Sequence, residues 1–179
     1  GIMGGGDQLE IVRGDSYCQS YICHLPRSVV EMAVSGRLDA MDGFLFPSIC
    51  DVIRNLSGMF QMLFTGKYIH YLDLPQNFDS ALGGEFYRTE LQGIAEAVGA
   101  LTGTHVTDAR LRGAIVAYNQ NRRAIAALLK LRTEQPWLVP TAEYYRLLRA
   151  GYLLPVQGHT EMLEQYLQAV PQVERRPLD

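Results

Sequence analysis

Pro47 and Ser48 constrain this chain more than any other pair, because they cut an apolar run short and a helix starts directly behind them. Residues 43–46 have the composition of a short buried strand, and the stretch from about Cys50 to Thr65 is amphipathic, with Gly66 as its stop. A strand, a sharp turn and a helix commit this part of the chain to an α/β architecture. Ligands of open parallel sheets bind at the carboxyl ends of strands, and a helix N-terminus offers amide donors and a partial positive charge that favour a thiolate. Cys50 therefore stands where a reactive or metal-bound sulfur would be stabilised.

Residues 68–74 are rich in aromatic and β-branched side chains and end at Pro75, which predicts a second strand. Two parallel strands joined by one helix form a right-handed βαβ crossover. The polar loop over residues 75–84 then lies at a carboxyl end beside the Cys50 turn, as one wall of a substrate site. Upstream, residues 8–12 alternate weakly and suggest an edge strand. A helix is expected over residues 26–35, with Pro26 at its first position and Gly36 as its stop. Cys23 precedes that helix, so two separate turns put two cysteines in one kind of electrostatic setting.

From Glu85 the period becomes helical. Tyr87, Leu91, Ile94, Val98 and Leu101 form an apolar stripe that ends at Gly103. Thr107 suits the cap of a long helix over residues 108–133, with Leu111, Ile115, Tyr118, Ile125 and Leu129 as its stripe. Two more helices are expected over residues 141–151 and 160–169. The predicted architecture is α/β: residues 1–84 form a short parallel sheet with a βαβ crossover, and residues 85–179 form a helical layer. Neither terminus resembles a natural start or finish, so the chain is expected to be a fragment of a larger multi-domain subunit. A helical layer built to pack on further domains would expose its stripes, that from Leu111 to Leu129 above all.

The balance of 16 basic against 19 acidic residues, net −3, lacks the basic cluster that nucleic acid requires. No apolar run reaches the roughly 18 residues of a membrane span. A cytoplasmic protein is expected, with no nucleic acid and no membrane among its partners. Three cysteines do not make a disulfide framework, and in a reducing compartment they are free, catalytic or metal-bound. Zinc has little support, since there is no Cys-x-x-Cys pair. An iron-sulfur cluster held by widely spaced cysteines fits at least as well, with Cys18 a third ligand by count alone. The ordinary alternative is that each cysteine is a small buried hydrophobe.

Of the histidines, His24 adjoins the site, His70 sits inside a strand, and His105 and His159 lie at loop-to-helix junctions and need no function. No nucleophile elbow surrounds a serine, because Ser57 lies mid-helix, and neither Gly4 to Gly6 nor Gly83-Gly84 makes a phosphate loop. The polar run from Asn119 to Arg123 reads as a solvated helix face, or else as a patch for an anion or a partner chain.

These residues resemble a known family. Ser20-Tyr21-Ile22-Cys23 with Leu25-Pro26-Arg27-Ser28, then Gly36-Arg37-Leu38-Asp39, Asp42 to Ser48 with Cys50 to Leu56, and Asp73-Leu74-Pro75-Gln76 are similar in order and spacing to the cluster-bearing subunits of benzoyl-CoA reductase and the 2-hydroxyacyl-CoA dehydratases. Tyr87 with Glu90-Leu91, Tyr118-Asn119 with Arg122, and Leu131-Arg132 continue the match. Within that family the wording is most similar to the larger cluster-bearing subunit of the ATP-dependent benzoyl-CoA reductase.

The resemblance implies a 4Fe-4S cluster with Cys23 and Cys50 as ligands, the third being Cys18 or a residue beyond this chain. It implies a related second cluster-bearing subunit, ATP-hydrolysing activator subunits and an acyl-CoA substrate as partners. His24, Ser48, Gln76 and Asn77 would lie near that substrate, and no catalytic acid or base is assigned. The implied function is delivery of low-potential electrons to an aromatic acyl-CoA for ring reduction. The alternatives are a 2-hydroxyacyl-CoA dehydratase acting by a ketyl radical, and an inactive interaction fragment whose cysteines are merely buried.

Overall fold

The computed structural model describes residues 8–175, so the glycine run at Gly4 to Gly6 and both chain ends lie outside the described residues. It contains two compact units, which divide after Val106. In the first, α1 (His24–Val34), β1 (Gly43–Pro47), α2 (Asp51–Leu63), β2 (Tyr68–Leu72) and α3 (Glu85–Thr102) follow in order. In the second, α4 (Asp108–Glu134), α5 (Thr141–Ala150) and α6 (Val156–Ala169) form a helical group.

The predicted crossover is present. β1 and β2 pair in parallel from Gly43↔Tyr68 to Pro47↔Leu72. Bonds to the residues flanking β1 extend the ladder, Tyr68 N–H donating to the Asp42 carbonyl at 3.1 Å and Ser48 N–H to the Leu72 carbonyl at 2.9 Å. Alternation along β1 turns Phe44 and Phe46 inward and Leu45 outward, as the period of two requires. The inward rings meet α2: Phe60 lies 5.0 Å from both Phe44 and Phe46, and Phe64 lies 5.1 Å from Phe44 and 5.2 Å from Phe60. Such pairs contribute about 0.5–1.5 kcal/mol each beyond their buried area. Val29, Val30 and Ala33 of α1, with Leu38 and Leu56, complete this core. α2 ends at Leu63, short of the expected Thr65, and Gly66, at φ +91°, then takes a backbone conformation that side chains resist as the chain turns toward β2.

Residues 8–12 are not the edge strand that their alternation suggests. Their polar backbone is held by a side chain instead: the Glu31 carboxylate accepts from Val12 N–H at 2.9 Å and Gly14 N–H at 2.7 Å. These backbone donors, Gly14 first, hold the Glu31 carboxyl below the usual carboxylate range. A strand would need a partner strand for those amides, and none is within the ladder. α1 also begins two residues before Pro26. Proline is tolerated there because the first-turn amides of a helix have no intrahelical acceptor.

In the second unit α4 runs 27 residues, roughly 40 Å at the helical rise. Thr107 caps it as expected, its hydroxyl accepting from Arg110 N–H at 3.3 Å. Leu111, Ile115, Tyr118 and Leu129 are about half exposed, whereas the face that packs is Asn121, Ala124 and Leu128. Ala124 and Leu128, with Leu138, Val139, Leu163 and Val170, make the second core.

α6 begins at Val156, a turn earlier than its apolar pattern suggests, because Pro155 supplies the cap position. His159 consequently lies inside a helix and not at a junction. Both of its ring nitrogens are engaged, Nε2 with the Leu147 carbonyl and Nδ1 with Asn121, each at 2.9 Å. A carbonyl can only accept, so Nε2 carries the proton and Nδ1 accepts from the Asn121 amide. Asn121 also donates to Thr160 at 3.0 Å. The polar run at residues 119–123 is therefore partly internal, and Asn121 is its buried member. No helix among the described residues is long and apolar enough to cross a membrane.

Two outcomes test these assignments. Phe60→Ala removes the ring shared by both strand phenylalanines and should cost about 3–5 kcal/mol in urea unfolding. The depressed Glu31 carboxyl contributes stability that is present above its unfolded pKa and disappears as pH falls through the folded one. The protection of the Val12 and Gly14 amides, relative to their intrinsic exchange rates, should therefore fall on acidification before the rest of the unit opens, and Glu31→Gln should reproduce that loss of protection at neutral pH.

Candidate functional site

The crossover carries the chain out of β1 at Pro47 and into α2 at Asp51, and the short gap between them holds Ser48 and Cys50. Cys50 is the cap residue of α2, extended at φ −162° and ψ 168°. Its carbonyl accepts from Ile53 N–H at 3.1 Å and Arg54 N–H at 3.2 Å, which closes the first turn. Cys23 occupies the same place on α1, at φ −58° and ψ 150°. Neither side chain serves as a cap, and both cysteines are exposed. Two thiols thus stand at two helix N-termini, uncommitted and reachable.

Cys18 differs. It is partly buried and lines a narrow crevice with Ile22 and Pro26 on one side and Val52, Asn55 and Met59 of α2 on the other. Burial pushes its thiol up, against a smaller lowering by Arg27, with Asp15 and Cys23 also raising it. The crevice brings the loop before α1 against the first turns of α2. Among the described residues no three His, Cys, Asp or Glu side chains are grouped to hold a metal ion. The donor set that this chain presents is two exposed sulfurs, which fits part of an iron-sulfur ligand set.

Of the predicted substrate-proximal residues, His24 opens α1 and is exposed. Ser48 lies at the carboxyl end of β1, where its hydroxyl accepts from Tyr71 O–H at 2.9 Å. Arg54 lies 5.2 Å from the centre of the Tyr71 ring. Neither Tyr71 nor Arg54 stands out in the sequence, since an aromatic residue in a strand and a charge on a helix are both commonplace. Only the pairing of β1 with β2 shows that they hold the turn before Cys50.

Gln76 and Asn77 are exposed on the loop after β2 and line a shallow crevice with Asp73, Leu74, Leu82 and Phe86. The loop is internally braced, Asn77 Oδ1 accepting from Asp79 N–H and Asp79 Oδ1 from Ala81 N–H, both at 2.8 Å. A π-helical turn at Ser80–Gly84 then leads into α3. Gly83 packs so close that a Cβ there would lie 1.6 Å from the Asn77 carbonyl oxygen, so only glycine fits. Phe78 and Leu82 stand out from this loop, 92% and 63% exposed.

Residues 1–178 match the model of a protein family described as 2-hydroxyglutaryl-CoA dehydratase, D-component. The chain belongs to that family. Among its relatives, a benzoyl-CoA reductase subunit from Thauera aromatica is 50% identical over the whole chain, which covers 46% of that protein. The beta subunit of (R)-2-hydroxyglutaryl-CoA dehydratase from Acidaminococcus fermentans is 31% identical over 92% of the chain and 44% of its own length. The beta subunit of (R)-phenyllactyl-CoA dehydratase from Clostridium sporogenes is 21% identical over 97% of the chain and 46% of its own length. The chain spans about half the length of the curated relatives that it matches. These family members are named as subunits of reductases and dehydratases of CoA esters, the class that the residue motifs indicate.

Gly83→Ala should force the loop over residues 75–84 away from Asn77. Overpacking of this kind costs about 1–3 kcal/mol. The expected readout is faster amide exchange at Asp79 and Ala81, with the β1–β2 ladder still protected.

Proposed function

We propose that this chain is part of a benzoyl-CoA reductase-type subunit, which binds an iron-sulfur cluster and an aromatic acyl-CoA and passes low-potential electrons for ring reduction. The observation that carries the reading is the matched placement of Cys23 and Cys50, each exposed at the start of a helix, in a chain 50% identical to a benzoyl-CoA reductase subunit. Cys23 and Cys50 would be two of the ligands of a 4Fe-4S cluster, which supplies one-electron chemistry at low potential when bound.

The chain's own residues do the positioning. The Tyr71–Ser48 hydrogen bond ties the Cys50 turn to the neighbouring strand, and the phenylalanine core behind it keeps α2 from shifting. A ligand site held by packed elements loses less on closing around its cofactor than one on a mobile loop. The loop after β2 presents apolar Leu74, Leu82 and Phe86 beside the polar Gln76 and Asn77. That mixture suits an acyl group next to a thioester, the apolar residues excluding water and the amides orienting the carbonyl. The partners of this reading are a related cluster-bearing subunit and ATP-hydrolysing activator subunits.

A second reading, a 2-hydroxyacyl-CoA dehydratase subunit, is supported by the family's own description and by the 31% identity to a dehydratase beta subunit. The same two cysteines serve either chemistry, so the substrate decides between them.

Anaerobic reconstitution of the chain with iron and sulfide tests the ligand assignment. Cys23→Ser and Cys50→Ser should each lower bound iron and the broad visible absorption by severalfold while leaving the far-ultraviolet circular dichroism unchanged. Iron retention in both variants equal to that of the wild type would sink the assignment. Turnover of benzoyl-CoA against a 2-hydroxyacyl-CoA by the complete complex separates the two enzyme readings.

A further inference from the structure

We infer that Cys18 and Cys23 form an intramolecular disulfide when the chain meets an oxidised low-molecular-weight thiol such as glutathione disulfide, and that this bond withdraws Cys23 from cluster binding. The second half rests on the ligand reading above, and the first does not.

The geometry comes from a chain reversal before α1. Ile22 N–H donates to the Gln19 carbonyl at 3.0 Å and closes a turn over residues 19–22. Cys18 and Cys23 are the residues on either side of it, both with extended ψ angles of 146° and 150°. Further out, the Arg27 guanidinium bonds the Asp15 carboxylate at 2.9 Å, and a Cβ on Gly14 would meet the Arg27 carbonyl oxygen at 2.4 Å. The segments before and after the turn therefore run back along each other. The turn ends, Gln19 and Ile22, approach within about 7 Å, and the cysteines stand one residue outside them, where a reversal that continues to the Asp15–Arg27 pair keeps the two segments side by side. A disulfide needs Cα separations of about 4.4–6.8 Å. Cys23 also acts electrostatically on Cys18, as neighbours do.

Exposure divides the roles. Cys23 is exposed and Cys18 partly buried, so an incoming disulfide meets Cys23 first. The Cys23 sulfur, having given up its proton, attacks one sulfur of the glutathione disulfide; the S–S bond breaks and one glutathione leaves, taking that proton. The Cys18 sulfur then attacks the mixed disulfide in the same way and releases the second glutathione. Two protein thiols lose two electrons in total, and one glutathione disulfide is reduced to two thiols. Cys50 begins another helix and shares no such reversal with Cys23.

Treating the cluster-free chain with glutathione disulfide, alkylating and digesting with trypsin tests this directly, because peptide 14–27 carries both cysteines. Wild type should yield that peptide two hydrogens lighter than its reduced form and without alkyl label, and Cys18→Ser should retain one glutathione on Cys23. Glutathione persisting on Cys23 in wild type, or a bond from Cys23 to Cys50, would overturn the inference. Iron and sulfide loading of the oxidised chain should fall to background and return after dithiothreitol. If the disulfide forms while loading is unchanged, the ligand role of Cys23 is refuted and the disulfide itself stands.

Discussion

The contact of Phe60 with both Phe44 and Phe46 decides where α2 lies, because a two-stranded sheet has too little backbone pairing to hold a crossover helix by itself. Phe60 is fully buried, and the rings around it meet edge-on or offset, the arrangements that their quadrupoles favour. With α2 pinned across the sheet, its first residue is pinned as well. The position of Cys50 is thus a consequence of core packing nearly three turns away and owes little to the cysteine itself.

α1 depends on the same core through Val29, Val30 and Ala33, and Cys23 takes its place from α1 as Cys50 does from α2. The two thiols are exported from one core by two helices. Glu31 adds a polar lock on the outer side of α1, drawing the preceding segment down onto the helix through two backbone amides. That lock and the Asp15–Arg27 pair shape the reversal that carries Cys18 back toward Cys23. A segment whose regular hydrogen bonding is confined to one 3-10 turn, Gly14–Tyr17, is in this way ordered by carboxylates.

The helical unit follows another rule. Its core centres on α4 and α6, and one buried contact between them is polar: Asn121 with His159 and Thr160. Every nitrogen of the His159 ring has a partner, which makes the burial tolerable. The ring also fills the space that a side chain on Gly151 would take, since a Cβ there would meet it at 2.6 Å. Meanwhile Leu111, Ile115, Tyr118 and Leu129 of the α4 stripe are about half exposed and Ile125 alone of its members packs on this core, so helical periodicity identified a face without identifying what covers it.

The sequence by itself determined the local units. Pro47-Ser48, Gly66 and the phenylalanine alternation are short-range signals, and they specified the parallel strands, the crossover helix and the cysteines at helix starts, because capping and period depend on neighbours a few residues away. The family motifs were legible for the same reason, being fixed words at fixed spacing. What the tertiary structure decided was partnership between distant residues. It assigned the amides of residues 12 and 14 to Glu31 in place of a strand, turned Asn121 inward to His159, set Tyr71 on Ser48, and folded Cys18 back toward Cys23. Each of those choices depends on which of several chemically equivalent acceptors or faces the packed core brings near, and a linear pattern carries no record of that distance.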